Sequence, residues 1–255
     1  MAKVEGRLQG RIGVFALRGS NTVGHRPGER FAYCSTFKWV LGAAVLKQVD
    51  TGLLDLARPL GYGAGDLLPH SPVTRSRLLE GRLDIESLCA AAIIESDNTA
   101  ANLLTRQVGG LLELQAFVRS MGDHVMRFDR PEPDLNSNLP GDPRDTTSPE
   151  AMARLLKAAL ETETLSRPSR DRLLAWMKAT ATGKGRIRAG VPRGWTVAHK
   201  TGTGNHGATH DVAVLLPPKG PPIYLCVFTD RSRVDDEAGE AAIAETTRLA
   251  LKALR

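Results

Sequence analysis

Ser35 and Lys38 stand three residues apart at the head of an apolar, helix-forming run that continues from Trp39 through Leu46. On a helix, that spacing puts a hydroxyl and an ammonium on one face, within hydrogen-bond reach. A serine hydroxyl is a poor nucleophile at neutral pH and needs an adjacent base or cation, a part Lys38 is placed to play. Backbone N–H groups at a helix start would also turn partial positive charge toward negative charge developing at Ser35. Alone the pattern is weak, since roughly one chance Ser-x-x-Lys is expected in a chain this long. Ser35 heads the only match. Two further triplets carry chemistry-bearing side chains: Ser96-Asp97-Asn98 and Lys200-Thr201-Gly202, the latter followed by Thr203-Gly204. Taken singly, the first is a good helix cap and the second a plausible strand end.

The elements that must position these residues divide by pattern. Gly10 to Leu17 reads as a strand ended by a turn at Arg18-Gly19-Ser20-Asn21, with a second strand near Val23 to Arg26. A helix from Ser35 should stop at Asp50-Thr51-Gly52. Apolar residues at three- and four-residue spacing predict helices near Asp84 to Glu95, Thr99 to Val108 and Leu111 to Met121. Ser148-Pro149-Glu150 opens another, running to about Leu160, and one more spans Ser169 to Thr180. Strand patterns return at Trp195 to Thr201, His210 to Leu216 and Ile223 to Thr229, before a closing helix from Asp236 to Arg255. This implies an α+β fold: an antiparallel sheet built from both chain ends and flanked by helices, plus an all-α lobe. The predicted division is 1–33 and 182–255 for the first lobe and 34–181 for the second, with a small-molecule cleft between them.

Composition narrows the function classes. The 255 residues are 42% hydrophobic and 24% charged, ordinary for a soluble globular protein. The net charge of +6 is spread along the chain among 28 acidic residues, and aromatics are only 5%, which argues against a nucleic-acid partner. No apolar run approaches a membrane span, and the first residues lack the apolar core of a signal peptide. Cys34, Cys89 and Cys226 form no Cys-x-x-Cys and read as buried free thiols. His206 and His210 are four apart but lie in a Gly-containing loop-to-strand segment, so no metal site is expected.

In order, Ser-x-x-Lys, Ser-Asp-Asn and Lys-Thr-Gly are the motif set of class A β-lactamases and penicillin-binding proteins. A fourth stretch, Asp129-Arg130-Pro131-Glu132-Pro133-Asp134-Leu135-Asn136, ending in Asp142-Pro143-Arg144-Asp145-Thr146-Thr147, resembles the Ω-loop of class A serine β-lactamases, here at about 127–145. The similarity of order and spacing runs from about Gly10 to the last helix. The resemblance implies that Ser35 is acylated by the lactam carbonyl and that the backbone N–H groups of Ser35 and Thr203 form the oxyanion hole. Lys38 would lie between Ser35 and Glu132, with the acylation base left open between Lys38 and Glu132. Glu132 and Asn136 would hold the deacylating water, Ser96 would protonate the departing nitrogen, and Lys200 would supply charge. Asn98 would bind the substrate side-chain amide and Thr201 the substrate carboxylate. Asp97 would brace its loop, and an Arg130–Asp145 ion pair would close the Ω-loop neck.

Departures from the family pattern bear on specificity. Where many members carry an arginine after Lys-Thr-Gly this chain has Thr209, and the resemblance implies Arg186 as the substitute carboxylate anchor, against a solvated surface arginine. Glu240 on the last helix would lie near it. His70, before Ser71-Pro72-Val73-Thr74, takes the place of an aromatic wall, or is simply an exposed loop histidine. Cys34 matches carbapenem-hydrolysing members that bridge it, but its partner position is Gly204. The resemblance implies a metal-free, cofactor-free, monomeric hydrolase of penicillins and cephalosporins, periplasmic or secreted. A DD-peptidase, or a β-lactam sensor domain that acylates without turnover, are the alternatives.

Overall fold

The computed structural model describes residues 1–231 and 236–254. A five-stranded antiparallel sheet forms its centre. Strands β1 (Gly10–Arg18) and β2 (Asn21–His25) come from the start of the chain, and β3 (Thr196–Thr203), β4 (Thr209–Leu216) and β5 (Ile223–Arg231) from its last quarter. Their spatial order is β2-β1-β5-β4-β3, so the two chain ends meet where Val14 pairs with Val227. Both faces are covered, and alternate residues divide between two cores. Ile12, Val14 and Ala16 join Ala213, Leu215, Leu225 and Val227 on one face, whereas Phe15 and Leu17 join Val212, Val214, Cys226 and Phe228 on the other.

The first face is packed by a short N-terminal helix, α1 (Ala2–Leu8), which sequence patterning did not predict, and by the last helix of the chain. On the second face lie α2 (Lys38–Asp50), α3 (Ile85–Ile94), α4 (Asn98–Gln107), α5 (Leu111–Ser120), α6 (Pro149–Glu161) and α7 (Arg167–Lys178). The chain then makes α8 (Ile187–Gly190) before the sheet resumes, and ends in α9 (Asp236–Ala253). Caps fix the starts: Asp84, Asp97, Ser148 and Ser166 each accept a hydrogen bond from the backbone N–H three residues on. The helix expected from Ser169 begins two residues earlier, because Ser166 caps it and Pro168 fits its first turn.

The helix expected from Ser35 also differs. Cys34–Phe37 is a separate 3-10 turn, and the α-helix begins only at Lys38. Tyr33 holds that turn: its carbonyl accepts from Thr36 N (3.1 Å) and Thr36 Oγ1 (2.6 Å), while its own N–H donates to Asp145 O (3.1 Å). Cys34 consequently takes a left-handed backbone, φ 47°.

Candidate active site

The 3-10 turn packs against the end of β3, and Gly202 makes that approach possible: a Cβ there would stand 2.9 Å from Tyr33 O and 3.1 Å from Thr36 N. The turn that carries Ser35 thus packs beside the strand whose last residue, Thr203, is exposed. Ser96 sits between α3 and α4 with φ 61°, its hydroxyl accepting from Lys200 Nζ at 2.9 Å. Asp97, fully buried, accepts from Val73 N, Thr74 N, Thr74 Oγ1 and Ala100 N, and so ties the start of α4 to the short helical turn Pro72–Ser76.

Glu132 is the point of convergence. Its Oε1 accepts from Ser35 Oγ (3.2 Å) and pairs with Lys38 Nζ (2.9 Å), and its Oε2 accepts from Asn136 Nδ2 (2.5 Å). Lys38 was expected between Ser35 and Glu132; here the carboxylate is in contact with both. The reason is that the three N–H directions of Lys38 go to Glu132, Ser96 O (2.7 Å) and Asn98 Oδ1 (2.5 Å), which leaves the serine hydroxyl to donate to Glu132. Asn98 also donates to Pro69 O at 2.9 Å. Asn136 Oδ1 is buried and accepts no hydrogen bond from the described residues.

Asn102, on α4, escaped sequence reading. Its amide accepts from Glu132 N (3.1 Å) and donates to Glu132 O (2.9 Å), so it clamps the peptide carrying the carboxylate. At the neck of the same loop, Arg130 Nε donates to Asp145 Oδ2 at 2.6 Å, and Asp145 Oδ1 also accepts from Asp129 N, Arg130 N and the Tyr33 hydroxyl.

Burial dominates the electrostatics. Lys38 is fully buried, which lowers its pKa, and the Glu132 charge opposes that fall. Lys200 is driven well below the usual lysine range by burial, then by the like charges of Lys38 and Arg186. Burial pushes the Cys34 thiol up, so it stays protonated. It lies against Gly204, where a Cβ would be 2.6 Å from its sulfur, and all three cysteines are free.

Arg186 is buried at 6% exposure and reaches the same edge as Thr203. Its guanidinium donates to Glu240 Oε1 (3.1 Å), Gly202 O and His210 O (both 2.9 Å) and Thr203 Oγ1 (2.8 Å). The reading of Arg186 as a solvated surface residue is overturned by this burial, and Glu240 is its neighbour as expected. Thr201 Oγ1 shares a 2.6 Å hydrogen bond with Thr182. His70 is exposed, with φ 54°, and its Nε2 lies 3.0 Å from Glu95 O while its carbonyl accepts from Asn98 N. A cavity of about 760 Å³ lies elsewhere, behind the 129–145 loop, lined by Arg11, Arg30, Leu139, His206 and Arg231; it contains none of the reactive side chains.

The arrangement sets a hydroxyl against a buried carboxylate–ammonium pair, with a second hydroxyl–ammonium pair beside it. That is a constellation for acyl transfer followed by hydrolysis. A family model described as "Beta-lactamase enzyme family" matches residues 1–254. The carbapenem-hydrolyzing β-lactamase KPC of Klebsiella oxytoca is 46% identical over 258 residues, covering 99% of this chain and 87% of that protein. β-Lactamase AST-1 of Nocardia asteroides is 44% identical over 257 residues, covering 99% and 82%. The solved structure of the last common ancestor of Gram-negative bacteria class A β-lactamase (GNCA4) superposes with a TM-score of 0.97 at 49% identity, covering 100% of this chain and 97% of that one. Agreement over the whole length, in sequence and in fold, means that this chain belongs to the β-lactamase enzyme family as a class A member.

Proposed function

We propose that the protein opens the lactam amide of penicillins and cephalosporins through an acyl-enzyme on Ser35 and then hydrolyses that ester. The contact of Glu132 Oε1 with both Ser35 Oγ (3.2 Å) and Lys38 Nζ (2.9 Å) carries the reading. In acylation, Ser35 Oγ attacks the lactam carbonyl carbon as its proton passes to Glu132, and the oxyanion is held by the N–H groups of Ser35 and Thr203. The C–N bond breaks as Ser96 Oγ gives its proton to the nitrogen, with Lys200 stabilising the transient alkoxide, and the proton held by Glu132 passes by way of Lys38 to Ser96, which restores both the hydroxyl and the Glu132 carboxylate. In deacylation Glu132 takes a proton from water as the water oxygen attacks the acyl carbon, and gives that proton to Ser35 Oγ as the ester C–O bond breaks. The unpartnered Asn136 Oδ1, beside Glu132, supports a water-holding role for Asn136. Asn98, with one side-chain N–H beyond its bond to Pro69 O, suits a substrate amide, and Thr201, Thr203 and Arg186 suit the substrate carboxylate. His70 would wall the cleft rim.

The segment at about 127–145 serves in this reading as the Ω-loop, its neck closed by Arg130 and Asp145, while Asp97 braces the loop that carries Ser96. The two lobes, 1–33 with 182–255 and 34–181, would meet at the cleft. We also infer, from family membership, an exported monomer, which cell fractionation of the native gene product and sedimentation would test. The deciding experiment mixes purified protein with a penicillin and follows lactam absorbance and intact mass together. Rapid turnover with at most transient acylation is expected; a persistent stoichiometric adduct would make it a DD-peptidase or a sensor instead. The substrate panel should include a carbapenem, the class for which the Klebsiella oxytoca relative is named.

A further inference from the structure

Strands β3 and β4 carry a buried pair that the reaction does not use. His199 and Asp211 are both fully buried, and His199 Nδ1 lies 3.0 and 3.1 Å from the two carboxylate oxygens of Asp211. A carboxylate only accepts, so Nδ1 carries the hydrogen. Strand alternation sets His199 on the face opposite its neighbour Lys200, and Asp211 stands across from Thr201 in the β3–β4 register. Asp211 Oδ2 accepts one more hydrogen bond, from the backbone N–H of Ile187 at 3.1 Å. Ile187 is the first residue of α8 and directly follows Arg186.

We propose that His199 and Asp211 are positioning residues for recognition of the substrate carboxylate, acting by fixing the backbone on the C-terminal side of Arg186. The inference rests on the reading of Arg186 as the carboxylate anchor. Upstream, the backbone is held by a local turn, Arg186 N donating to Gly183 O at 3.0 Å, that contains two glycines, Gly183 with φ +67° and Gly185. Downstream, Asp211 holds the next N–H. The Arg186 guanidinium is bonded to carbonyls of the same two strands, Gly202 O on β3 and His210 O on β4. Backbone and side chain of the arginine are therefore referred to one strand pair, the pair that ends in Thr201 and Thr203. Among the described residues, four of the five guanidinium N–H directions are engaged, by Glu240, Gly202, His210 and Thr203. The fifth, on Nη2 beside Thr203, is left for a ligand oxygen. Packing already holds α8 against α9, since a Cβ on Gly190 would meet Ala244 O at 2.4 Å. What Asp211 adds is the tie to the sheet. His199 in turn keeps Asp211 aimed at Ile187.

The test compares a penicillin with its methyl ester, which lacks the anionic carboxylate. His199→Leu removes the donor; His199→Asn keeps an N–H near the position of Nδ1. In His199→Leu, KM for the free acid is expected to rise about tenfold with kcat held within about twofold, while the ester is unaffected. His199→Asn should recover most of the loss. Asp211→Asn, which keeps the shape but has one accepting oxygen, reads the same acid-to-ester preference independently should His199→Leu not fold. An unchanged preference in folded Asp211→Asn, equal losses for acid and ester, or no recovery in His199→Asn would overturn the proposal. Arg186→Ala separates the two readings. If it leaves the preference intact, the anchor reading fails and this inference with it; if it abolishes the preference while the pair variants retain it, only the pair's role fails.

Discussion

Glu132 sits 3.2 Å from the Ser35 hydroxyl and 2.9 Å from the Lys38 ammonium, so its removal should separate the two halves of the reaction. Glu132→Ala is expected to accumulate a penicilloyl adduct on Ser35, seen by intact mass, with steady-state turnover down by about 100-fold or more. Undiminished turnover would take Glu132 out of deacylation. Lys200 offers a pH test. Burial and the charges of Lys38 and Arg186 lower its pKa, so it loses its proton below the usual lysine range as pH rises. The cationic partner of Ser96 then disappears, and kcat/KM should fall on the alkaline side at a pH below that range. Lys200→Arg, which does not titrate there, should move that limb upward in a pH–rate profile. The motif residues Ser35, Lys38, Ser96 and Lys200 were legible because their types and order are improbable together. Asn102 was not: an asparagine inside a helix carries no local mark of the loop peptide it clamps.

Among the elements, the close pass of β3 over the 3-10 turn depends on Gly202. Gly202→Ala would put a Cβ 2.9 Å from Tyr33 O and 3.0 Å from Thr36 Cγ2, prising the oxyanion edge away from Ser35. The expected result is a loss of about 1–3 kcal/mol in stability and a fall of about 100-fold in kcat/KM, measured by thermal melting and steady-state kinetics. The 129–145 loop depends on its neck. Arg130→Met leaves buried Asp145 with its three neutral donors, and should cost about 1.5–3 kcal/mol while slowing deacylation more than acylation, which pre-steady-state mass spectrometry can resolve. Helices with side-chain caps and strands buried on both faces were readable from sequence. The 3-10 turn under Ser35 was not, because its cause is a contact from Tyr33 to Asp145, 112 residues away. Helix α1 was missed for a plainer reason: in seven residues it buries only Val4 and Leu8, too few to show a period.

At the scale of the molecule, the sheet joins both ends of the chain and carries a separate core on each face, an architecture visible in advance from strand patterns at the two ends and helical ones between. The register was beyond reach, because it is fixed by partners such as Val14 and Val227 that lie far apart in sequence. The seam between the Ser35 turn and the end of the sheet is unbraced by any covalent link. Gly204→Cys would set a Cβ 2.6 Å from the Cys34 sulfur and 2.9 Å from Asn136 O. After a shift of a few tenths of an ångström, it should form a disulfide on oxidation, detectable as thiol loss and a stability gain of about 2–4 kcal/mol. Native Cys34, Cys89 and Cys226 are buried and unpaired, and they are all the cysteine the chain has. Folding of these residues therefore calls for no oxidant and no disulfide exchange, and reductant should leave the melting temperature where it was.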